Sequence, residues 1–218
     1  MTIRTRTLSR PYCIYMNRCS LSLVLLILLL ACTDRQAGDG SILPQDCRLR
    51  VGDVVLRCGS GLLSHAVLMA EGSRGVYSHV GVVVDSAGVL MIVHAVPDEP
   101  DFEGDADRVK MERPEAFFRC TRAQRGAVLR HRDSLVAHKA ALQALNAYQR
   151  RVLFDHDYND ADTTCMYCTE LIVYAFDRAG AGLHDVEHQR LPLPGLDYEC
   201  VLPSDIFECR DFYLLKRF

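Results

Sequence analysis

Apolar positions in this chain follow two periods. Residues 54–56 are Val-Val-Leu behind the turn pair Gly52-Asp53, which predicts a short strand. Residues 79–85 read His-Val-Gly-Val-Val-Val-Asp, Gly88 turns the chain, and residues 89–96 return as a second apolar run. That pattern predicts an antiparallel hairpin. Residues 109–112, 127–132 and 212–216 predict three further strands. Helical spacing appears elsewhere. Residues 64–70, after the Gly59-Ser60-Gly61 break, predict a helical turn. Asp133 is a cap for a helix running to about residue 151, with Leu135, Val136, Leu142, Leu145 and Tyr148 near one face. Residues 167–179 predict an apolar helix ended by Gly180. Residues 97–107 and 154–163 are acidic loops, and Pro192, Pro194 and Pro203 mark an irregular segment. Strands cluster in two places with helices between and after them, so the class is α+β.

One apolar run has neither period. Residues 21–30 are almost purely aliphatic, and the run is only about ten residues long where a bilayer span needs roughly 20. Arg18 precedes it directly and Arg4, Arg6 and Arg10 lie upstream, the charge pattern of a signal peptide. It ends in Leu29-Leu30-Ala31-Cys32, which resembles the bacterial lipobox. Residues 1–32 therefore read as a lipoprotein signal peptide with Cys32 as the lipidated residue; the alternative is an ordinary secretory peptide. Three acyl chains at Cys32 exceed the two signals that stable anchoring takes. Thr33 favours the outer membrane over inner-membrane retention, and Met16 is a second candidate start. Residues 33–46, polar with Gly, Ser and Pro, read as a flexible tether. Residues 47–218 form the expected single domain.

Composition excludes some functions. The chain has 218 residues, a formal net charge of −3 and 49 % hydrophobic residues, with no basic stretch interleaved with aromatics. That is globular composition with no footprint for nucleic acid. Ten cysteines are many for a reducing compartment. Setting aside Cys13, Cys19 and Cys32 leaves Cys47, Cys58, Cys120, Cys165, Cys168, Cys200 and Cys209, an odd set. An odd cysteine in an oxidising compartment is a candidate reactive thiol, and the other six allow up to three disulfides that sequence cannot pair.

Three residues carry candidate chemistry. Cys168 opens the helix at 167–179, where the dipole and unpaired N–H groups favour a thiolate and lower a thiol pKa. The same N–H groups suit a tetrahedral oxyanion. The structural alternative is a buried cysteine or half of a disulfide. His79 opens the first hairpin strand, a rigid place for a general base, and the alternative is a histidine at the edge of the core. His94 lies on the return strand, which brings it near His79 as the orienting member of a triad. Its alternative is a half-buried strand histidine. Tyr77, Asp157, Tyr158 and Tyr167 are candidate substrate contacts, and Glu170 is assigned only a local capping role.

These residues occur in the order Leu49-Arg-x-Gly-Asp-Val-Val, Tyr77-Ser-His-Val-Gly-Val-Val, Ile92-Val-His-Ala, Phe154-Asp-x-Asp-Tyr, Tyr167-Cys-Thr-Glu-Leu and Pro203-Ser-Asp. Together they resemble the permuted papain-like NlpC/P60 superfamily, the YiiX/YaeF-type group, over roughly residues 47–216. Papain order is Cys then His, whereas here His precedes Cys. The resemblance implies a circularly permuted papain-like fold, a small antiparallel sheet packed on helices, and a cysteine hydrolase acting on amide or ester bonds. It implies Cys168 as nucleophile, His79 as base and His94 as the third polar residue, where some relatives carry Glu. Thr169 replaces the usual Ser after the Cys. No cofactor and no metal are implied. The expected substrate is a cell-wall peptide amide, with a lipid amide or ester, hydrolysed or transferred, as the runner-up. Other classes stay open: a redox pair in Cys165-Met-Tyr-Cys168, a zinc site from His65, His79, His94 and Cys168, and a non-catalytic binder of envelope fragments.

Overall fold

Strand and helix assignments account for residues 40–158, 163–190 and 199–218 of the computed structural model. The leader, Cys32, most of the expected tether, Pro192 and Pro194 lie outside the described residues. The described residues hold eight strands: β1 (Val54–Cys58), β2 (His79–Ser86), β3 (Val89–Val96), β4 (Arg108–Glu112), β5 (Arg125–His131), β6 (Gln189–Arg190), β7 (Glu199–Cys200) and β8 (Phe212–Arg217). Five α-helices join them: α1 (Leu62–Glu71), α2 (Pro114–Phe117), α3 (Ser134–Gln149), α4 (Cys168–Arg178) and α5 (Pro203–Glu208). Six strands form one antiparallel sheet in the order β4-β3-β2-β1-β5-β8, and β6 pairs with β7. This is the expected mixed α and β class.

The central strands read as continuous apolar runs because both faces of the sheet are covered. Val54, Leu56, Val80, Val82, Val84, Val93 and Ala95 join the large core under α3 and α4. Their neighbours Val55, Val83, Ile92 and Val128 join a smaller core with Phe117 of α2 and Phe118 just after it. Side chains alternate across a strand, so a single β-branched run feeds two cores at once. Helix α3 starts where Asp133 accepts from the N–H groups of Leu135 and Val136 at 2.8 and 3.2 Å. Its buried stripe is Ala137, Ala140, Ala141, Ala144 and Ala147 rather than the larger residues of its sequence pattern. Leu135 and Leu142 are exposed. Small residues on this face let α3 approach closely: a Cβ on Gly52, which sits at φ +86°, would lie 2.5 Å from the Ala137 backbone.

Some expectations need correction. Residues 64–70 are part of a ten-residue helix, not a single turn. The tether does not extend to 46. Ser41 bridges to Arg119, the Ile42 N–H donates to the Phe118 carbonyl at 2.9 Å, and Ile42 and Leu43 pack on the smaller core. Helices α2 and α5 were not expected; both start at a proline, whose fixed φ and missing N–H suit a first turn. The acidic stretch before β4 is not simply solvated, because Asp105 ties down Arg108 and Lys110 at 3.1 and 3.0 Å. No helix of the described residues is long and apolar enough to cross a membrane.

Candidate active site

Helix α4 begins at Cys168, and Glu170 fixes where it begins. The Tyr167 N–H donates to the Glu170 carboxylate at 3.1 Å, closing the first turn from inside. Cys168 is therefore the first helical residue. Its two neighbours clasp one residue of a later segment. The Thr169 hydroxyl donates to the Val201 carbonyl at 2.6 Å, and the Val201 N–H donates to the Tyr167 hydroxyl oxygen at 3.2 Å.

The sulfur lies at the start of β2. The β2–β3 ladder runs from Ser86↔Val89 to Val82↔Val93, short of His79. Beyond that last pair the Val80 N–H turns to the Cys168 sulfur, joined by the N–H groups of Thr169 and of Cys168 itself. The expectation of a depressed thiol pKa is nonetheless overturned. Burial pushes the Cys168 thiol up to about 11, and the three N–H groups and the Arg57 charge offset only part of that. Cys168 is nonetheless only half-buried and borders two cavities, so the sulfur keeps an approach for substrate.

His79 and His94 reach the same end of the sheet. His79 Nε2 and His94 Nδ1 are 2.8 Å apart, in a buried contact. Gly81 makes this approach possible, since a Cβ there would lie 2.7 Å from Ile92 Cγ2 and 3.2 Å from His94 Cβ. Phe117 of α2 is the floor: the His79 ring stacks on it at 5.7 Å, His94 meets it edge-on at 5.2 Å, and the Arg57 guanidinium lies 4.6 Å from its centroid. Burial, then the charges of Arg57 and His94, hold the His79 pKa well below its ordinary value, so the ring is neutral at rest.

Behind the histidines lies a square of charge that sequence reading missed. Arg57 sits opposite His79 in the β1–β2 register. It contacts Glu99 at 2.6 Å and donates to the Phe117 carbonyl at 2.9 Å. Arg122 contacts Glu99 and Glu112, each at 3.1 Å. Glu112 Oε1 lies 3.2 Å from His94 Nε2, at ion-pair distance, and neither buried atom makes a well-aligned hydrogen bond to any group. Leaving such atoms unpaired costs about 1–3 kcal/mol each, a cost that a small turn of the His94 ring toward Glu112 would recover. Burial acts to raise the Glu112 pKa, but His94, Arg57 and Arg122 outweigh it and hold the carboxyl below its ordinary value. The signal in the sequence was faint: one arginine closing an apolar strand, and one glutamate ending another.

Two cavities open at Cys168. One of about 450 Å³ is lined by His79 and Cys168 together with Arg57, Ser60, Glu99 and Arg122. The other, of about 260 Å³, runs from Cys168 between Leu63, Ala66, Val67 and Ala70 of α1 and Val201, Leu202 and Pro203. Tyr158 and Tyr167 line both. Tyr77 and Asp157 line neither. Tyr77 is a core residue at 3 % exposure with its ring 5.2 Å from Phe207, because it lies on the apolar face of the turn into β2. Asp157 is exposed, and its N–H donates to Asp155 at 2.8 Å. Cys165 and Cys168 are both free thiols, as are Cys47, Cys58 and Cys209.

The fold resembles the crystal structure of the metalloprotein yiiX from Escherichia coli O157:H7, with a TM-score of 0.61 over 79 % of this chain and 99 % of that one. The two share a fold. Their sequences are 16 % identical, so the likeness to yiiX concerns architecture alone. No protein-family model matches the sequence, and neither does any curated protein. The description as a metalloprotein belongs to yiiX. Among the described residues no three His, Cys, Asp or Glu side chains gather in ligating positions, and His79 and His94 face one another instead. His65, once a zinc candidate, is exposed on α1.

Proposed function

We propose that this chain is a cysteine-dependent hydrolase of amide or ester bonds, tethered through Cys32 and working at the bacterial cell envelope on cell-wall peptide. One observation carries the reading: the Cys168 sulfur and the His79 ring open on the same cavity, and the second nitrogen of that ring is held by His94 at 2.8 Å. With Nε2 engaged, Nδ1 is the nitrogen left for the thiol. The S–H proton passes to His79 Nδ1 as sulfur bonds to the substrate carbonyl carbon. The carbonyl oxygen becomes an oxyanion facing the N–H groups at the head of α4. His79 returns the proton to the departing amine or alcohol, and water releases the acid from the thioester. His94 steadies the imidazolium formed on the way. The scaffold fits a permuted papain-like arrangement, in which the histidine strand precedes the cysteine helix.

The apolar cavity favours a second reading of the substrate, a lipid amide or ester, hydrolysed or passed to an acceptor amine. Its walls are aliphatic along α1 and at Val201 and Leu202. Each methylene buried there is worth about 0.8 kcal/mol, or about fourfold in kcat/KM. Turnover of p-nitrophenyl esters of rising chain length separates the two: a steady gain per carbon supports the lipid reading, and a flat series with cleavage of muropeptides supports the peptide reading. Cys168→Ala abolishes turnover of either substrate and Cys165→Ala does not. Equal activity in wild type and Cys168→Ala removes the hydrolase reading, and loss only in Cys165→Ala points to the redox pair.

A further inference from the structure

We propose that Glu112 is a positioning residue that sets the tautomers of both histidines by accepting a hydrogen bond from His94 Nε2–H. The proposal rests on the reading of Cys168 and His79 as nucleophile and base. Three observations on different strands carry it. Glu112, at the end of β4, places Oε1 3.2 Å from His94 Nε2, at ion-pair distance, and neither of these buried atoms has a well-aligned hydrogen-bond partner. Its second oxygen is 3.1 Å from Arg122, and Arg57 stands 3.9 Å from the first. His94 Nδ1 is 2.8 Å from His79 Nε2.

The proton positions follow from counting. An ionised carboxylate only accepts, so the His94 nitrogen facing it must carry hydrogen. We take His94 as neutral in the resting site, with its one N–H facing Glu112, so that His94 Nδ1 is bare and accepts. The proton in the 2.8 Å contact therefore belongs to His79 Nε2. That leaves His79 Nδ1 with a lone pair, the state a base needs before it takes the Cys168 proton. The opposite assignment would set a bare His94 nitrogen against carboxylate oxygen. It would also give His79 Nδ1 a hydrogen and make it useless as a base. The arginines complete the device. Each also holds Glu99, so both are fixed, and Arg122 takes the Glu112 oxygen that His94 does not.

Glu112→Gln is the informative variant because it keeps shape and removes charge. The amide oxygen turns to Arg122, and its N–H₂ faces His94 and reverses the sequence of donors. Ring-nitrogen NMR of the histidines in the full chain reads this directly. The expected wild-type spectrum has His79 protonated on Nε2 and His94 on Nε2, and both protons move to Nδ1 in Glu112→Gln. The acylation rate with an activated ester falls about 10²- to 10⁴-fold, KM changes little, and Glu112→Asp recovers much of the rate. Wild-type His79 protonated on Nδ1 overturns the proposal whether or not any variant folds. An unchanged tautomer and rate in a folded Glu112→Gln overturns it as well. A wild type that acylates nothing, but whose tautomers still reverse in Glu112→Gln, supports the positioning role and removes only the hydrolase reading.

Discussion

Alanine at position 81 is expected to damage the site more than the fold. The new Cβ would lie 2.7 Å from Ile92 Cγ2, 3.0 Å from the Val93 carbonyl oxygen and 3.2 Å from His94 Cβ. Carbon atoms in good contact sit about 3.5–4.0 Å apart, so the first of these is short by about 1 Å. None of the three atoms is the loose end of a flexible chain. Val93 is paired in the ladder with Val82 on one side and Met111 on the other, so β3 must shift as a unit. Overpacking of this kind costs about 1–3 kcal/mol. In a domain of this size each kcal/mol lowers the melting temperature by about 2–4 °C, giving a fall of about 2–12 °C. The shift also carries His94 away from His79, and their contact is already only 2.8 Å. A few tenths of an ångström there weakens the support of the base, and kcat is expected to fall at least about tenfold. Thermal melts followed by calorimetry, with ester turnover measured well below the melting point, give both quantities. A Gly81→Ala protein that melts with the wild type and turns over at full rate would falsify the claim that this glycine sets the approach of the two histidines.

Cys168 is expected to alkylate slowly with iodoacetamide at pH 6, and about tenfold faster per pH unit up to the thiol value of about 11, because burial keeps it protonated. A rate plateau below pH 8 would show an ionised resting thiol instead. Glu71 gives a stability test. It is buried, takes the Ser204 N–H of α5 at 2.8 Å, and faces Arg74 and Asp205. Burial, against the Ser204 and Arg74 contributions, lifts it from 4.5 to about 7. The native state thus holds this proton more tightly than the unfolded chain, so stability falls as pH rises through that window and levels off above it, by about 3 kcal/mol at most. Urea midpoints at pH 5 and pH 8 are expected to differ in wild type and to converge in Glu71→Gln; equal spreads in the two proteins refute the assignment.

The hairpin of β2 and β3, the Asp133 cap and the helix at Cys168 were legible because each is written in neighbouring residues. Periodicity, a turn glycine and a capping side chain suffice there. What sequence could not supply was burial. The head of α4 promised an activated thiol on local grounds, yet burial by residues from elsewhere in the chain outweighs its N–H groups and that of Val80. Tyr77 misled for the same reason, since a tyrosine beside His79 reads as a contact until the core claims its ring. Phe117, Glu99, Arg122 and Glu112 were invisible because their meaning lies in contacts across three strands and a four-residue helix.

Val201 has a consequence for chemical intervention. It walls the apolar compartment and is clasped by both residues that flank Cys168. A compound lodged in that compartment presses on a peptide unit joined to the nucleophile's neighbours on either side. Because Cys168 lines the same compartment, such a compound bears on the nucleophile both directly and through the peptide unit at Val201.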